Sequence, residues 1–194
     1  MKKDTLKQIA EIIETHKQMI ADLQANGIKT IAAAAELITN SLRKNGTVYI
    51  CGNGGSAADA QHIAGELVGR FERSRRALPA VALTTDTSVI TSIANDIAYE
   101  TVFARQVEAM VKKGDVLWAI STSGESPNVL AAAKLAKKKN ARILAFTGKK
   151  NSSLEKLADL CLAAHGTSTA RSQEVHQLAY HIICKLVEQN FAES

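Results

Sequence analysis

From Thr47 onwards the chain alternates short, almost continuously apolar runs with longer amphipathic stretches, and this alternation constrains the fold more than any other feature. Apolar runs of this kind are typical of strands buried on both faces, with helices between them covering those faces. The sequence therefore predicts an α/β fold, a three-layer, doubly wound, five-stranded parallel sheet. The predicted strands are Thr47–Gly52, Pro79–Thr85, Asp115–Ser121, Ala141–Thr147 and Leu160–Ala164.

Two amphipathic helices are predicted ahead of the sheet. Apolar residues recur every three or four positions over residues 3–25 and again over 28–44, and Asn26-Gly27 is expected to end the first helix. We find neither an internal repeat nor a linker that would mark a second domain. We therefore expect one domain over residues 1–194, with 1–45 as a two-helix N-terminal extension that packs against the domain or against another subunit.

The charge and composition argue against several classes of protein. The 194 residues carry a net charge of +5 and 4% aromatic residues, whereas nucleic-acid binding calls for a recognisable module or interleaved aromatics. The two densest basic groups are both expected to be solvated faces. They are Arg70 with Arg73, Arg75 and Arg76, and the run Lys134, Lys137, Lys138 and Lys139. No apolar run approaches the roughly 18 residues of a membrane span. The cysteines form no CxxC pair, which is typical of reduced thiols, so we expect a cytoplasmic protein with no nucleic-acid or membrane partner.

A glycine turn follows the first predicted strand and leads directly into a helix. The turn, Gly52-Asn53-Gly54-Gly55, is expected to leave free amide groups near the start of that helix, with Ser56 as its cap. His62 and Glu66 are four residues apart on the helix and therefore share one face. Such a pair can bind a divalent cation, and it can equally be a buried hydrogen-bonded pair with a structural role.

A loop rich in hydroxyl groups follows the third predicted strand. Ser121, Thr122, Ser123 and Ser126 precede Pro127, so Ser126 is expected at the N-cap and Pro127 in the first turn of a helix. Hydroxyls and free amides at a helix N-terminus can hold a phosphate monoester. The alternative is that the serines only cap the helix.

Further candidates lie elsewhere in the chain. Gln173 and His181 could complete a metal site with His62 and Glu66, but eight residues separate them, or roughly 12 Å along a helix. Both could reach one ion only if it lay between them or if a neighbouring subunit supplied one of them. Asn95-Asp96, like Asp86, could contact a sugar hydroxyl or simply form a turn or a helix end.

Together these residues resemble the phosphoheptose isomerases, a family with the sugar isomerase (SIS) fold, and the likeness extends over nearly the whole chain. The motifs that carry it are Gly52-Asn53-Gly54-Gly55-Ser56, His62 with Glu66, Asn95-Asp96, Ser121-Thr122-Ser123-Gly124 with Ser126, and Ala170–His176 with His181. One departure is Ser172, where an aliphatic residue is expected before Gln173.

The resemblance implies conversion of sedoheptulose 7-phosphate to D-glycero-D-manno-heptose 7-phosphate, the first step of ADP-heptose biosynthesis for bacterial lipopolysaccharide. It also implies a homotetramer with one Zn²⁺ per subunit. The implied zinc ligands are His62, Glu66, Gln173 and His181. The implied substrate contacts are Asn53, Gly54, Gly55, Glu66, Asn95, Asp96, Ser121, Thr122, Ser123, Ser126 and Gln173.

The expected chemistry passes through an enediol. We expect Glu66 to move the carbon-bound proton and His181 to serve the substrate oxygens as acid and base. Two alternatives stay open: a non-catalytic SIS-fold tetramer that binds the bacterial replication initiator, and an isomerase or sensor of another phosphosugar. The non-catalytic relative is expected to lack a carboxylate at position 66, so the presence of Glu66 together with His181 favours an enzyme.

Overall fold

The computed structural model describes residues 3–166 and 168–192. Its five strands form one parallel sheet in the order β2-β1-β3-β4-β5, which confirms the predicted fold class. The strands are β1 (Val48–Gly52), β2 (Ala80–Ala82), β3 (Val116–Ser121), β4 (Arg142–Thr147) and β5 (Leu160–Ala163).

Helices cover both faces of the sheet. They are α1 (Lys3–Asp22), α2 (Ile28–Arg43), α3 (Gly55–Val68), α4 (Thr87–Asp96), α5 (Val102–Met110), α6 (Pro127–Lys138), α7 (Ser153–Leu157) and α8 (Thr169–Gln189), with a 3₁₀ turn over Tyr99–Thr101. One hydrophobic cluster packs α1, α2, α3 and α8 on the first face, and a second packs α4, α5, α6 and α7 on the other.

Successive residues of a strand belong alternately to the two clusters, as expected for strands that are buried on both sides. In β1, Val48 and Ile50 face the first cluster, whereas Tyr49 and Cys51 face the second. Trp118 lies in the first cluster, where it packs edge-to-face on the ring of Phe146 at a centroid distance of 5.1 Å. The sheet therefore separates two independently packed layers.

The expected break between the two N-terminal helices is wrong. A π-helical turn, Leu23–Gly27, joins α1 to α2 without interruption. Gly27 has φ −96°, which is compatible with a helix, so it does not take the left-handed conformation that ends helices. A Cβ on Gly27 would lie 2.6 Å from Leu23 Cδ1, so this glycine makes room for a buried neighbour.

The two halves of this N-terminal segment differ in burial. Ile31, Ile38 and Leu42 of α2 are buried in the first cluster. In α1, by contrast, the apolar stripe remains about half exposed. Its members are Leu6 (54%), Ile9 (46%), Ile12 (49%) and Ile13 (52%).

The strand order determines where a ligand can bind. β1 and β3 are neighbours, with Gly52 paired to Ile120, but the chain leaves β1 towards α3 on one face and leaves β3 towards α6 on the other. Such a reversal opens a crevice at the carboxyl ends of these two strands, where open α/β sheets bind their ligands. The glycine turn and the hydroxyl loop border this crevice.

Candidate functional site

The glycine turn has the geometry that its sequence predicts, except for its cap. Gly54 has φ +57°, a conformation that residues with side chains rarely adopt, and α3 begins at Gly55. The N-cap is therefore Gly54, and the expectation that Ser56 caps the helix is wrong. Ser56 is instead buried, and a Cβ on Gly52 would lie 2.8 Å from its Cβ, so Ser56 packs under the turn.

The hydroxyl loop gathers two further serine side chains around Ser121. Ser121 Oγ lies 2.9 Å from Ser126 Oγ and 3.3 Å from Ser123 Oγ, and it accepts from the Gly124 N–H at 3.2 Å. Ser126 occupies the N-cap of α6, yet its side chain makes no capping hydrogen bond. The hydroxyls therefore face one another at the helix N-terminus, where an anion is favoured.

Thr122 belongs to the same loop through its main chain. Its carbonyl accepts from the Gly148 N–H at 2.9 Å, and this bond ties the loop to the end of β4. Glu125 is also held, since its carboxylate accepts from the Ser153 N–H at 2.7 Å. The loop is thus supported on both sides by neighbouring elements.

Asn53 is held by two residues that the sequence pattern does not reveal. Its side-chain amide pairs reciprocally with that of Asn128, with both N–O distances 2.9 Å, and Tyr99 Oη donates to Asn53 Oδ1 at 3.1 Å. Asn128 is buried near the start of α6, so this pair links the glycine turn to the hydroxyl loop. A polar residue after a helix-starting proline is the only sequence signal for Asn128.

The second half of the candidate site lies where α3 packs beside α8. His62 Nε2 lies 3.0 Å from Glu66 Oε1 and 3.4 Å from His181 Nε2. The ligand atoms of these three residues, hereafter the His-Glu-His cluster, all lie within 4.8 Å of one another. Burial and the nearby His62 lower the pKa of His181, while Glu66 opposes that shift. Two imidazoles and a carboxylate at this spacing could hold a divalent cation.

Two further residues lie behind the cluster, and sequence analysis missed both. Tyr180, which is buried, places its Oη 3.0 Å from His62 Nδ1 and donates to Asp59 Oδ1 at 3.4 Å. Burial raises the pKa of Asp59, whereas the Tyr180 hydroxyl and His62 oppose the rise. Asp59 precedes His62 by three residues on α3, so helical spacing was the only available signal.

Gln173 lies at the other end of the same helix pair. A Cβ on Gly55 would lie 2.6 Å from Gln173 Nε2, so only glycine lets this amide lie against the turn. His62 follows Gly55 by seven residues, or roughly 10 Å along α3. Because α3 ends near the start of β2, where Leu78 N–H donates to the Leu67 carbonyl at 3.1 Å, the cluster lies below the crevice edge. Within one chain, Gln173 and the His-Glu-His cluster therefore lie at different positions along α3.

The remaining predicted contacts lie on α4. Asn95 and Asp96 form its last turn, where both are exposed and Asn95 Nδ2 donates to Asp96 Oδ1 at 2.8 Å. Asp86 is the N-cap of α4 and accepts from the Val89 N–H at 3.0 Å. Within the described ranges, we find no hydrogen bond from Asn95 or Asp96 to the glycine turn or the hydroxyl loop.

A buried ion pair fixes the end of α3 and corrects one member of the expected solvated arginine face. Arg70, Arg73 and Arg76 are exposed as expected, whereas Arg75 is not. The Arg75 side chain is fully buried beside Glu188, with Nε 3.4 Å from Oε1. Its guanidinium also donates to the carbonyls of Glu66 and Leu67, at 2.7 and 2.9 Å. Glu188 in turn accepts from the N–H groups of residues 71–73. The main chain at Glu66 is thereby held from below.

Two residues of α8 explain how its first turns are packed. His176 is buried, with Nε2 3.0 Å from the Thr147 carbonyl, and burial lowers its pKa to about 4 although that bond opposes the shift. Ser172, the departure from the expected aliphatic residue, is buried too and donates to the Ala164 carbonyl at 2.9 Å. Its hydroxyl is therefore satisfied within the core.

Comparison with known proteins places these features in a family. The model of the SIS domain matches residues 11–148. A curated phosphoheptose isomerase from Roseiflexus sp. (strain RS-1) is 50% identical over 84% of this chain and 83% of its own length. Another, from Burkholderia pseudomallei (strain 1710b), is 48% identical over 94% of this chain and 91% of its own.

Solved structures agree with the sequence comparison. The phosphoheptose isomerase from Neisseria gonorrhoeae superposes with a TM-score of 0.89 at 37% identity, covering 95% of this chain and 99% of that one. The one from Francisella tularensis gives a TM-score of 0.91 at 34% identity, covering 95% and 98%. Separately, no helix in the described part of the chain has the length and apolar character needed to cross a membrane.

Proposed function

The chain belongs to the phosphoheptose isomerases of the SIS domain family, and from that premise we propose that it converts sedoheptulose 7-phosphate to D-glycero-D-manno-heptose 7-phosphate. The observation that carries the proposal is the convergence of His62, Glu66 and His181, since a binding module needs no such cluster. We also propose that this reaction is the first step toward the heptose of lipopolysaccharide.

The phosphate end of the substrate is assigned to the hydroxyl loop. Ser121, Thr122, Ser123 and Ser126 offer hydroxyls at the start of α6, and a dianionic phosphate is favoured there by the helix field and by hydrogen bonds. Gly54 and Gly55 offer main-chain amides at the start of α3. The sugar hydroxyls are assigned to Asn53, Asn95, Asp96 and Gln173, whose amide and carboxylate groups can exchange hydrogen bonds with them.

Isomerisation moves one proton from C1 to C2 and rearranges the protons on the two oxygens. Glu66 is the proposed base for the carbon-bound proton. Because it is also a proposed zinc ligand, this role requires a coordination shell that loosens when substrate binds. Its Oε1 faces His62, and no hydrogen bond reaches its Oε2 in the part of the chain that the structure describes, which leaves that oxygen available. His181 is proposed to exchange protons with the oxygens, since burial and the nearby His62 lower the pKa of its imidazole and so favour the neutral form, which can accept a proton.

The donor set of the cluster fits zinc. His62, Glu66 and His181 offer two imidazole nitrogens and a carboxylate, the ligand types of catalytic zinc sites, with ligand atoms already within 4.8 Å of one another. When bound, zinc would supply Lewis acidity toward the substrate carbonyl. Gln173 is proposed as the fourth ligand. Because it lies against Gly55 in its own chain, a neighbouring subunit is the proposed source of the amide that reaches a given ion.

We accordingly propose a homotetramer whose pockets form between subunits. The exposed apolar stripe of α1 supports an interface, and a groove lined by Ile13, His16, Leu178 and His181 runs from that stripe to the cluster. A second chain in this groove would bring another set of crevice residues towards His181. Residues 1–194 are proposed as one SIS domain, with residues 1–45 as the extension that supplies the interface.

The test is direct assay of the reaction. Purified protein is incubated with sedoheptulose 7-phosphate, and the aldose product is followed by NMR, with and without a chelator that removes zinc. We expect product in the first sample and a strong loss in the second, restored by added zinc. No product under any condition would contradict the isomerase. Equal rates with and without chelator would contradict the metal centre alone, and conversion of another phosphosugar in preference would redirect the substrate assignment.

A further inference from the structure

We infer that Asp59 and Tyr180 are positioning residues that set the tautomer of His62 and so prepare its Nε2 to bind a cation together with Glu66 and His181. The inference rests on the proposed function, because the cation is the zinc proposed there. It concerns residues outside the proposed ligand set, and it assigns a task to a buried tyrosine that the isomerisation itself does not use.

The three side chains form a line of hydrogen bonds behind the cluster. Tyr180 Oη lies 3.0 Å from His62 Nδ1 and donates to Asp59 Oδ1 at 3.4 Å. Tyr180 is 1% exposed, so bulk water does not take the place of His62 or Asp59 at its hydroxyl. Asp59 Oδ2 is buried and has no hydrogen-bond partner among the residues that the structure describes. The carboxylate therefore depends on the tyrosine hydroxyl for a donor.

This dependence determines which atom donates in each hydrogen bond of the line. A tyrosine hydroxyl has one proton, so it donates to a single partner at a time. When the proton points to Asp59, the hydroxyl oxygen accepts from His62, whose ring proton must then be on Nδ1. His62 Nε2 is left with a lone pair, directed at Glu66 Oε1 and His181 Nε2 at 3.0 and 3.4 Å.

Such an arrangement suits a cation. Electron-rich atoms that face one another at these distances repel unless a proton or a metal cation lies between them. Histidines that bind metals commonly donate their other ring N–H to a carboxylate or carbonyl, which orients the ring and raises its basicity. Here the Tyr180 hydroxyl lies between the imidazole and the Asp59 carboxylate. Through this hydroxyl, the carboxylate favours a ring proton on His62 Nδ1.

The opposite direction would block the ion. If Tyr180 donated to His62, the ring proton would be on Nε2, pointing at Glu66, in the place of the cation. Asp59→Asn is expected to force this reversal. An amide N–H₂ at the Oδ1 position can donate to Tyr180, whereas the same group at the Oδ2 position would be buried without an acceptor, which is costly.

Two variants and a matched control test the inference. Zinc affinity is measured on the full chain by competition with a chromophoric chelator. Tyr180→Phe and Asp59→Asn are each expected to weaken zinc binding by about 10–100-fold. Tyr49→Phe is the control, because it also removes a buried tyrosine hydroxyl, one that donates to the Met110 carbonyl at 3.2 Å on the other face of the sheet. It is expected to bind zinc like the wild type.

A second measurement reads the tautomer without metal. In metal-free protein labelled with ¹⁵N-histidine, long-range ¹H–¹⁵N spectra are expected to show His62 protonated on Nδ1 in the wild type and in Tyr49→Phe, and on Nε2 in Asp59→Asn. If the wild type binds zinc tightly and Asp59→Asn binds it with the same affinity, the inference is overturned and the metal centre is not. The same holds if His62 has one tautomer in both the wild type and Asp59→Asn. Equal zinc binding by the wild type and His62→Ala would overturn the proposed metal centre and the inference with it.

Discussion

The hydroxyl loop and the His-Glu-His cluster are two halves of one candidate site, yet they are built in opposite ways. The loop consists of consecutive residues, Ser121–Ser126, whose hydroxyls bond mainly to one another at the start of α6. In the cluster, 119 positions separate His62 from His181, and the contact exists only because α3 packs beside α8. The loop is thus a local structure, while the cluster depends on tertiary packing and on residues behind it.

The difference predicts how each half responds to mutation. A change in the loop should alter ligand binding and leave the rest of the molecule intact. A change at the cluster, or at the residues that hold α3 and α8 in place, should affect chemistry or stability over a longer range.

Glu66→Gln removes the proposed base while keeping the shape of the side chain. We expect the isomerisation rate to fall by about 10²–10⁴-fold, the usual contribution of a positioned base. Exchange of the C1 hydrogen with solvent deuterium, followed by NMR, should fall in parallel. The control is Glu108→Gln, whose carboxylate pairs with Arg105 on exposed surface. Exchange at the wild-type rate in Glu66→Gln would remove Glu66 from this role.

Glu188→Gln tests the support beneath the cluster. Losing one charge of a buried ion pair leaves Arg75 uncompensated, so we expect the free energy of unfolding to fall by about 3–5 kcal/mol in chemical denaturation. Glu108→Gln again serves as the control, because an exposed pair contributes about 0–1 kcal/mol. Equal stability of the two variants would show that the Arg75 and Glu188 pair is not what fixes the end of α3.

Ser121→Ala removes the hydroxyl around which the loop is organised. Hydrogen bonds to a charged group contribute about 1.5–3 kcal/mol, so we expect the KM for the phosphorylated sugar to rise by about 10–100-fold, with a smaller change in kcat. Steady-state kinetics will separate the two constants. Ser92→Ala, on exposed helix α4, is the control. A fall in kcat with KM unchanged would argue against phosphate binding by this loop.

Ser126→Ala is expected to have the smallest effect on stability. Ser126 is at an N-cap position, but its hydroxyl faces Ser121 and does not cap the helix, so we expect a loss below about 0.5 kcal/mol. The matched variant, Ser152→Ala, removes a hydroxyl that does cap, accepting from the Glu155 N–H, and should cost about 0.5–2 kcal/mol. Thermal denaturation of both will decide. A larger loss for Ser126→Ala would mean that its hydroxyl serves the helix.

Sequence reasoning succeeded where the signal was local. The strand pattern predicted the sheet, and the run from Ser121 to Pro127 predicted a loop at a helix N-terminus, because both depend on neighbouring residues. Ser56 was misassigned as a cap because a glycine turn can begin a helix one or two residues earlier than its first hydroxyl. The predicted break at Asn26-Gly27 failed because glycine also fits inside a helix where space is short.

Partners distant in the chain could not be predicted in the same way. Periodicity places His62 and Glu66 on one face of α3, but it does not say that Tyr180 lies behind them or that Asp59 completes the line. Arg75 reads as one of several surface arginines, since only tertiary structure reveals Glu188 beside it. The contacts implied for Asn95 and Asp96 stay predictions, and so do a cytoplasmic location and the full zinc ligand set.

The π-helical turn at Leu23–Gly27 has a consequence for how copies of the chain can associate. Each residue of an α-helix advances the direction of its side chain by about 100°, so one residue more or fewer in this turn would rotate the whole of α1 about its axis relative to α2. The turn therefore determines the direction in which the half-exposed stripe of Leu6, Ile9 and Ile13 faces. Deleting Ala25 would leave a helix but turn that stripe in a different direction.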